Sequence, residues 1–151
     1  FYSKNKIFSG KMVSRLYLTL LTLIIASQVW MVVNFSKYPI TYFLNGVLSG
    51  RLRLSNTLYN DSNGFPIIFG LNVEPYLPID FNFMKMFFSL GLIVSFVMLF
   101  FLIKAIRLKN YTPIGVVVLL IGLLSSFTES YFAVFFLNIS LLFVFSKNEE
   151  V

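Results

Sequence analysis

Two arginines, Arg51 and Arg53, lie in the one long polar stretch, residues 37–85, of a chain that is otherwise strongly apolar. Arginine stays charged at any working pH and presents a planar fork of donors that suits phosphate groups. Charge-assisted contacts of this kind are roughly twice as strong as hydrogen bonds between neutral groups. The close pair therefore predicts a binding site for an anionic ligand, with contact of one or both side chains to lipid headgroups as the alternative.

Carboxylates are the candidate acids and bases, because the sequence contains no histidine and no cysteine. Three of them, Asp61, Glu74 and Asp80, lie in the same polar stretch. A carboxylate can take the proton of a hydroxyl group as that hydroxyl attacks another centre. Asp61 also suits a turn, and Asp80 also suits the N-terminal cap of a following helix, so both have a structural alternative.

Glu129 is a further candidate because it lies between two apolar runs. A carboxylate so close to hydrocarbon is often functional. Residues 126–129 read SFTE, however, and this sequence also matches a capping box at the start of a helix. The chain has no phosphate-binding loop, dinucleotide fingerprint, metal-ligand spacing or serine-hydrolase motif, so no cofactor and no metal are predicted.

The elements that hold these residues are predicted to lie in a membrane. The chain is 58% hydrophobic and 12% charged, with a mean hydropathy of +0.83, whereas soluble domains carry about 25% charged residues. Too little polar surface remains to face water on all sides. The net charge of +6 could indicate nucleic acid, but the basic residues are spread along the chain, so no nucleic-acid partner is predicted.

Four apolar runs are long enough to cross a bilayer, which takes about 17–25 residues. They are residues 16–36, 84–105, 110–128 and 130–146. The predicted fold class is an all-α integral membrane protein, with four transmembrane helices and one large structured extracytoplasmic loop, residues 37–83. A chain of 151 residues is enough for a single membrane module.

Basic residues determine the predicted orientation, since they favour the cytoplasmic side of a membrane. They precede the first run, occupy the link between the second and third runs at residues 104–109, and follow the fourth run as Lys147. A multi-pass protein with both termini in the cytoplasm follows. The loop 37–83 then faces the outside, where arginine is usually scarce.

The first half of this loop has a rough helical stripe of apolar residues from about 41 to 59, interrupted at residues 45–46 and 49–50. The second half contains three prolines and is predicted to form extended or turn structure. Such apolar content in an outer loop indicates that the loop lies along the membrane interface or folds back into the membrane. An ordinary amphipathic helix along the membrane interface is an equally good explanation of it.

A helix would separate the two arginines, since residues two apart point to different faces. Arg51 would share a face with Ser55 and Leu58. Arg53 would lie with a polar group made of Asn56, Thr57 and Asn60. An extended strand would instead let both arginines face one ligand.

Several short motifs follow one another in an order that matches a known family. Residues 48–52 read LSGRL, residues 64–70 read GFPIIFG, residues 90–93 read LGLI and residues 128–131 read TESY. Over roughly residues 40–146, the chain resembles the C-terminal part of the O-antigen and capsular polysaccharide repeat-unit polymerases. It departs from that family at residues 80–83, where a tyrosine is more usual, and it lacks the second outer loop with an arginine.

The resemblance implies a reaction at the outer face of the bacterial cytoplasmic membrane. A metal-independent glycosyltransferase moves a growing glycan from a polyprenyl diphosphate to the end of a new lipid-linked repeat unit. The implied catalytic residues are Arg51, Asp80 and Glu129. The implied substrate-binding residues are Arg51, Arg53, Gly70 and Lys85. The resemblance implies that the chain is the C-terminal portion of a longer polymerase, which fits a first residue, Phe1, that is not Met.

The implied partners are a polyprenyl-diphosphate-linked oligosaccharide, membrane lipids and other polysaccharide-assembly membrane proteins. Two other interpretations stay open. A transporter or flippase module for lipid-linked sugars would place charges inside its spans, whereas the predicted spans are nearly free of charge. A non-catalytic membrane subunit would not depend on Arg51 and Arg53.

Overall fold

A computed structural model describes residues 7–79, 81–125 and 127, and in this part of the chain the fold is helical, with no strand. The six α-helices are α1 Gly10–Val33, α2 Pro39–Val47, α3 Arg51–Asp61, α4 Asn82–Leu90, α5 Leu92–Arg107 and α6 Pro113–Ser125. A short 3-10 helix, Glu74–Tyr76, precedes α4. The predicted helical class is therefore confirmed for these residues.

The longest helix, α1, has 24 residues and is about 36 Å long at about 1.5 Å per residue. It begins at Gly10, earlier than the predicted run 16–36, and ends where the backbone N–H of Asn34 donates to the Trp30 carbonyl. Among the described residues, α1 alone is long and apolar enough to cross a membrane. This gives the fold one candidate membrane span.

The exposed surface of α5 is far more apolar than that of a helix in a water-soluble protein. Ser95 is fully buried, with its hydroxyl donating to the carbonyl of Gly91 at 2.7 Å. Before its basic last turn, the exposed side chains of the same helix are large and apolar: Ile93, Val94, Phe96, Val97, Met98, Phe100 and Phe101. Water-soluble proteins rarely expose an apolar surface of this extent, so the polarity of α5 supports association with a membrane.

The predicted span over residues 84–105 is not one continuous helix in the structure. This run is divided between α4 and α5 at Gly91, whose φ of 83° and ψ of 159° interrupt the helix. Only glycine adopts this backbone region readily. The apolar composition of the run gave no sign of the break, because glycine is also common inside continuous membrane helices.

The break is occupied by the main chain of residues 65–71, hereafter the docked segment. Two N–H groups at the start of α5 donate to it: Leu92 to the Pro66 carbonyl at 2.9 Å and Ile93 to the Ile67 carbonyl at 3.0 Å. The first N–H groups of a helix have no partner within the helix. The docked segment therefore supplies acceptors that a broken apolar helix would otherwise lack.

The other end of the docked segment is attached to α4. The N–H of Leu71 donates to the Phe88 carbonyl at 2.7 Å. The backbone at Gly70 comes so close to α4 that an added Cβ would lie 1.8 Å from the carbonyl oxygen of Ser89. Glycine is required at position 70 because two main chains are in contact there.

The third predicted span, residues 110–128, corresponds to a shorter helix, α6, of 13 residues. Its buried face contains the small residues Gly115 and Gly122, which alternate with Leu119 and Leu123 and allow close packing against α1. The fourth predicted span, residues 130–146, lies outside the described residues. The four-span arrangement therefore stays a prediction.

The two ends of α1 have different neighbours. Its first residues lie beside the end of α5, where Phe8 and Tyr111 exchange two backbone hydrogen bonds of 2.8 and 2.9 Å; this is called the basic end. Its last turn lies beside α3, where the side-chain amide of Asn56 donates to the Val32 carbonyl at 2.7 Å; this is called the α3 end. Between them, α1 and α5 run antiparallel.

Candidate functional site

The helix that carries both arginines begins at a tight turn after α2. Ser49 and Gly50 both have positive φ, at 52° and 83°, and Gly50 has no side chain with which to cap the first turn of α3. The cap is supplied from the previous helix, because Oδ1 of Asn45 accepts a hydrogen bond from the backbone N–H of Arg53 at 2.9 Å. The predicted helical stripe is therefore two short helices rather than one.

One face of α3 is buried. Leu52, Ser55 and Leu58 are almost completely inaccessible to solvent, and their spacing of three residues keeps them on one side of the helix. The Asn56 amide attaches the helix to the last turn of α1. These contacts fix the orientation of α3, and with it the directions in which the arginines point.

The two arginines differ in burial. Arg51 is half-buried and borders the packed face, and the hydroxyl of Ser55 one turn later donates to its carbonyl at 3.2 Å. Arg53 is exposed, and Thr57 donates to its carbonyl at 3.0 Å. The helix separates the two guanidinium groups onto different faces, which is the arrangement that the sequence predicts for a helical segment.

Arg51 is also the first residue of α3, at the positive end of the helix dipole. Two backbone N–H groups of this turn already have acceptors: Arg51 donates to the Leu48 carbonyl at 3.1 Å, and Arg53 donates to Asn45. An anion at this end would thus be bound chiefly by arginine side chains. The helix dipole would add to the attraction.

A pocket of about 230 Å³, called the polar pocket after the four polar residues in its lining, lies at the other end of α3. Its lining residues are Leu58, Asp61, Ser62, Leu71, Asn72 and Tyr76. The Tyr76 hydroxyl donates to Oδ2 of Asp61 at 2.9 Å. This hydrogen bond, together with desolvation and the negative charge of Asp61, raises the pKa of Tyr76 above its ordinary value.

The chemistry of the polar pocket suits a sugar. A carboxylate accepts hydrogen bonds from hydroxyl groups, an amide both donates to them and accepts from them, and an aromatic ring with a hydroxyl offers both a flat apolar face and a polar edge. The pocket begins at Leu58, about 10 Å along α3 from Arg51 at about 1.5 Å per residue. An anionic group and a glycan could therefore be bound along one helix.

The remaining predicted site residues lie elsewhere. Gly70 belongs to the docked segment, where backbone packing accounts for a glycine. Lys85 is half-buried on α4, and its carbonyl accepts a hydrogen bond from the Ser89 hydroxyl. Asp80 and Glu129 lie outside the described residues. The predicted catalytic and substrate-binding roles of all these residues stay predictions.

Sequence reasoning missed a buried amide. Gln28 of α1 is completely buried, and its side-chain N–H donates to the Phe127 carbonyl at 3.3 Å. It was detectable as a polar amide inside an apolar run, since an amide in such a position needs hydrogen-bond partners. Asn72 and Tyr76 were also missed, because neither lies in a recognisable motif.

Within the described part of the chain, no group of three or more His, Cys, Asp or Glu side chains is arranged to hold a metal ion. No protein-family model, curated protein or solved structure matches the chain.

Proposed function

We propose that this chain is a multi-pass membrane module that joins lipid-linked oligosaccharide repeat units on the outer face of the bacterial cytoplasmic membrane. The glycan is transferred from a polyprenyl diphosphate to the next repeat unit. The observation that carries the proposal is the half-buried Arg51 on α3, which shares its helix with the polar pocket. The resemblance to polysaccharide polymerases contributes the reaction type.

The charge distribution supports an outer location for α3. The basic end of α1 carries Lys11 and Arg15, which the positive-inside tendency assigns to the cytoplasm. With its length of about 36 Å, α1 exceeds the roughly 30 Å of a hydrocarbon core. The α3 end, with Arg51 and Arg53, is then outside, where lipid-linked repeat units are joined.

The surface of α2 supports a position at the membrane interface. Its exposed side chains include Ile40, Phe43 and Val47, which share one face of the helix. An apolar face of this kind lies at the boundary between headgroups and acyl chains. The turn that follows α2 would hold Arg51 at the depth of a lipid-linked diphosphate.

In the proposed reaction, a hydroxyl of the acceptor sugar attacks the anomeric carbon of the donor glycan. A new carbon–oxygen bond forms as the bond to the diphosphate breaks, and the proton of the attacking hydroxyl passes to a carboxylate base. The proposed bases are Asp80 and Glu129, which the sequence provides as candidates. Negative charge grows on the departing diphosphate, and Arg51 stabilises it, with Arg53 as a further contact.

A second candidate function is favoured by the break between α4 and α5. Transporters bind their substrates at discontinuous helices within the membrane, and Gly91 with the docked segment forms such a discontinuity. A flippase for lipid-linked sugars would use this break. Loss of a polymerase would leave lipid-linked repeat units on the outer face of the membrane, whereas loss of a flippase would leave them on the cytoplasmic face.

The test uses a bacterial strain whose surface polymer depends on the full-length protein. The variant carries Arg51→Ala and Arg53→Ala together, and the control is Lys37→Ala, an exposed cation just beyond α1. We expect the double variant to accumulate single lipid-linked repeat units that an externally added lectin can reach, while the control makes normal polymer.

Two results would contradict this function. If the repeat units that accumulate bind the lectin only after the cells are lysed, the flippase is favoured. Normal polymer length in the double variant would favour a subunit without catalytic activity.

A further inference from the structure

The basic end of α1 contains a pocket that the proposed function does not use. It has a volume of about 190 Å³ and is lined by Lys11, Ser14, Arg15, Leu18, Ile103 and Arg107, hereafter the basic pocket. The α1 residues follow a helical spacing of three and four, and the two α5 residues lie one turn apart, so facing stripes of the two helices form the walls.

Three cations, Lys11, Arg15 and Arg107, converge on this pocket. Asp61 and Glu74 are the only acidic residues in the described part of the chain, and both lie in the region of α3 and the 3-10 helix rather than here. Like charges gathered around one cavity repel one another unless an anion lies between them. The positive-inside tendency requires basic residues on one side of a membrane, but it does not require them to share a cavity.

The rest of the pocket is apolar and continues along the helices. Leu18 and Ile103 line the side toward the middle of the α1–α5 pair. One turn earlier on α5, Phe100 is 62% exposed and extends this apolar surface. A free phosphate would gain no favourable contact from such a surface, whereas the acyl chains of a lipid would lie along it.

We propose that the basic pocket binds the phosphate group of an anionic membrane phospholipid, with the acyl chains of the lipid against α1 and α5. At about 30 Å³ per water, the pocket of about 190 Å³ holds roughly six waters. This is enough for a phosphate and its ester oxygens but not for a whole lipid. The inference is independent of the proposed function, because the site is at the opposite end of α1 from Arg51.

The experiment measures the thermal unfolding of the full-length protein in neutral detergent during titration with phosphatidylglycerol, phosphatidylcholine or inorganic phosphate. A ligand that binds the folded state raises the melting temperature. The test variant combines Lys11→Gln, Arg15→Gln and Arg107→Gln. The matched control is Lys104→Gln, an exposed cation on the last turn of α5 that does not line the pocket.

We expect phosphatidylglycerol alone to stabilise the unsubstituted protein and the control. The triple variant should bind it at least about tenfold more weakly, the loss expected for removing charged hydrogen bonds. Equal responses of the triple variant and the control to phosphatidylglycerol would overturn the proposal. Stabilisation by inorganic phosphate as strong as that by phosphatidylglycerol would indicate a site for a soluble anion and would overturn it as well.

A second variant covers the case in which the triple variant does not fold or inserts in the wrong orientation. Arg107→Gln combined with Leu108→Lys keeps the number of positive charges but moves one of them away from the pocket; Leu108 is exposed. We expect its affinity for phosphatidylglycerol to fall about tenfold. An unchanged affinity would overturn the proposal.

Discussion

The two ends of α1 hold positive charge in different ways. At the basic end, Lys11, Arg15 and Arg107 come from two helices and converge on one pocket. At the α3 end, Arg51 and Arg53 come from a single helix and point to different faces, with Asp61 at the far end of that helix. Convergent cations suit one compact anion, whereas cations and a carboxylate along one helix suit a ligand with both a charged and a neutral part.

The two ends are also built differently. The basic end is formed by the ends of α1 and α5 and by the bridge between Phe8 and Tyr111. The α3 end consists of a long insertion that depends on the docked segment and on one amide of α3. Substitutions in the insertion should therefore disturb the α3 end while leaving the basic end in place.

The largest effect is expected at the docked segment. Gly70→Ala would place a Cβ 1.8 Å from the Ser89 carbonyl oxygen, and Gly91→Ala would force an unfavourable φ of 83°. Each substitution should lower the free energy of unfolding by about 1–3 kcal/mol, measured by thermal unfolding in detergent.

Gly46→Ala in α2 is the matched control, because nothing lies within 4 Å of its added Cβ; it should be neutral or slightly stabilising. If Gly70→Ala were as well tolerated as Gly46→Ala, the docked segment would not support the α3 end.

A smaller effect is expected from the amide that attaches α3 to α1. Asn56→Ala removes the hydrogen bond to the Val32 carbonyl and should cost about 1 kcal/mol. Thr57→Ala on the exposed side of the same helix should change the free energy of unfolding by less than about 0.5 kcal/mol. Equal melting temperatures of the two variants would show that Asn56 does not fix the orientation of α3.

The smallest effect is expected in the polar pocket, and it depends on pH. Because Asp61 raises the pKa of Tyr76, the folded state favours the protonated phenol. The stabilisation of the folded state by the hydrogen bond from Tyr76 to Asp61 is thus fully present below the ordinary tyrosine pKa of about 10. It is lost as the pH rises through the raised pKa of Tyr76.

Tyr76→Phe should therefore melt below the unsubstituted protein at pH 7, and the difference should shrink above about pH 10. Tyr42→Phe, on an exposed side chain of α2, is the control. A difference between Tyr76→Phe and the unsubstituted protein that stays constant with pH would mean that the hydrogen bond to Asp61 does not contribute.

Local features of the fold were predictable from the sequence. The apolar stripe and its interruption at residues 49–50 predicted a helical region around Arg51, and a helix there implies that the two arginines lie on different faces. These features depend on residues three or four positions apart, and helical periodicity reports such relations directly.

Features that depend on distant residues were not predictable. The break at Gly91 exists because the docked segment supplies acceptors to Leu92 and Ile93, and nothing in the apolar run itself indicates that partner. The polar pocket joins Asp61 to Tyr76, which lies 15 residues further along the chain. In the sequence alone, nothing connected the carboxylate of Asp61 with Tyr76.

Arg51 carries the proposed function, so the most direct measurement is the rate of polymer formation by the full-length protein reconstituted with lipid-linked repeat units. Arg51→Lys keeps the charge but loses the bidentate fork, and Arg53→Lys is its matched control. We expect Arg51→Lys to slow polymer formation about 100-fold, with a change of only a few-fold for Arg53→Lys. A rate for Arg51→Lys equal to that of the unsubstituted protein would contradict the proposed role of Arg51.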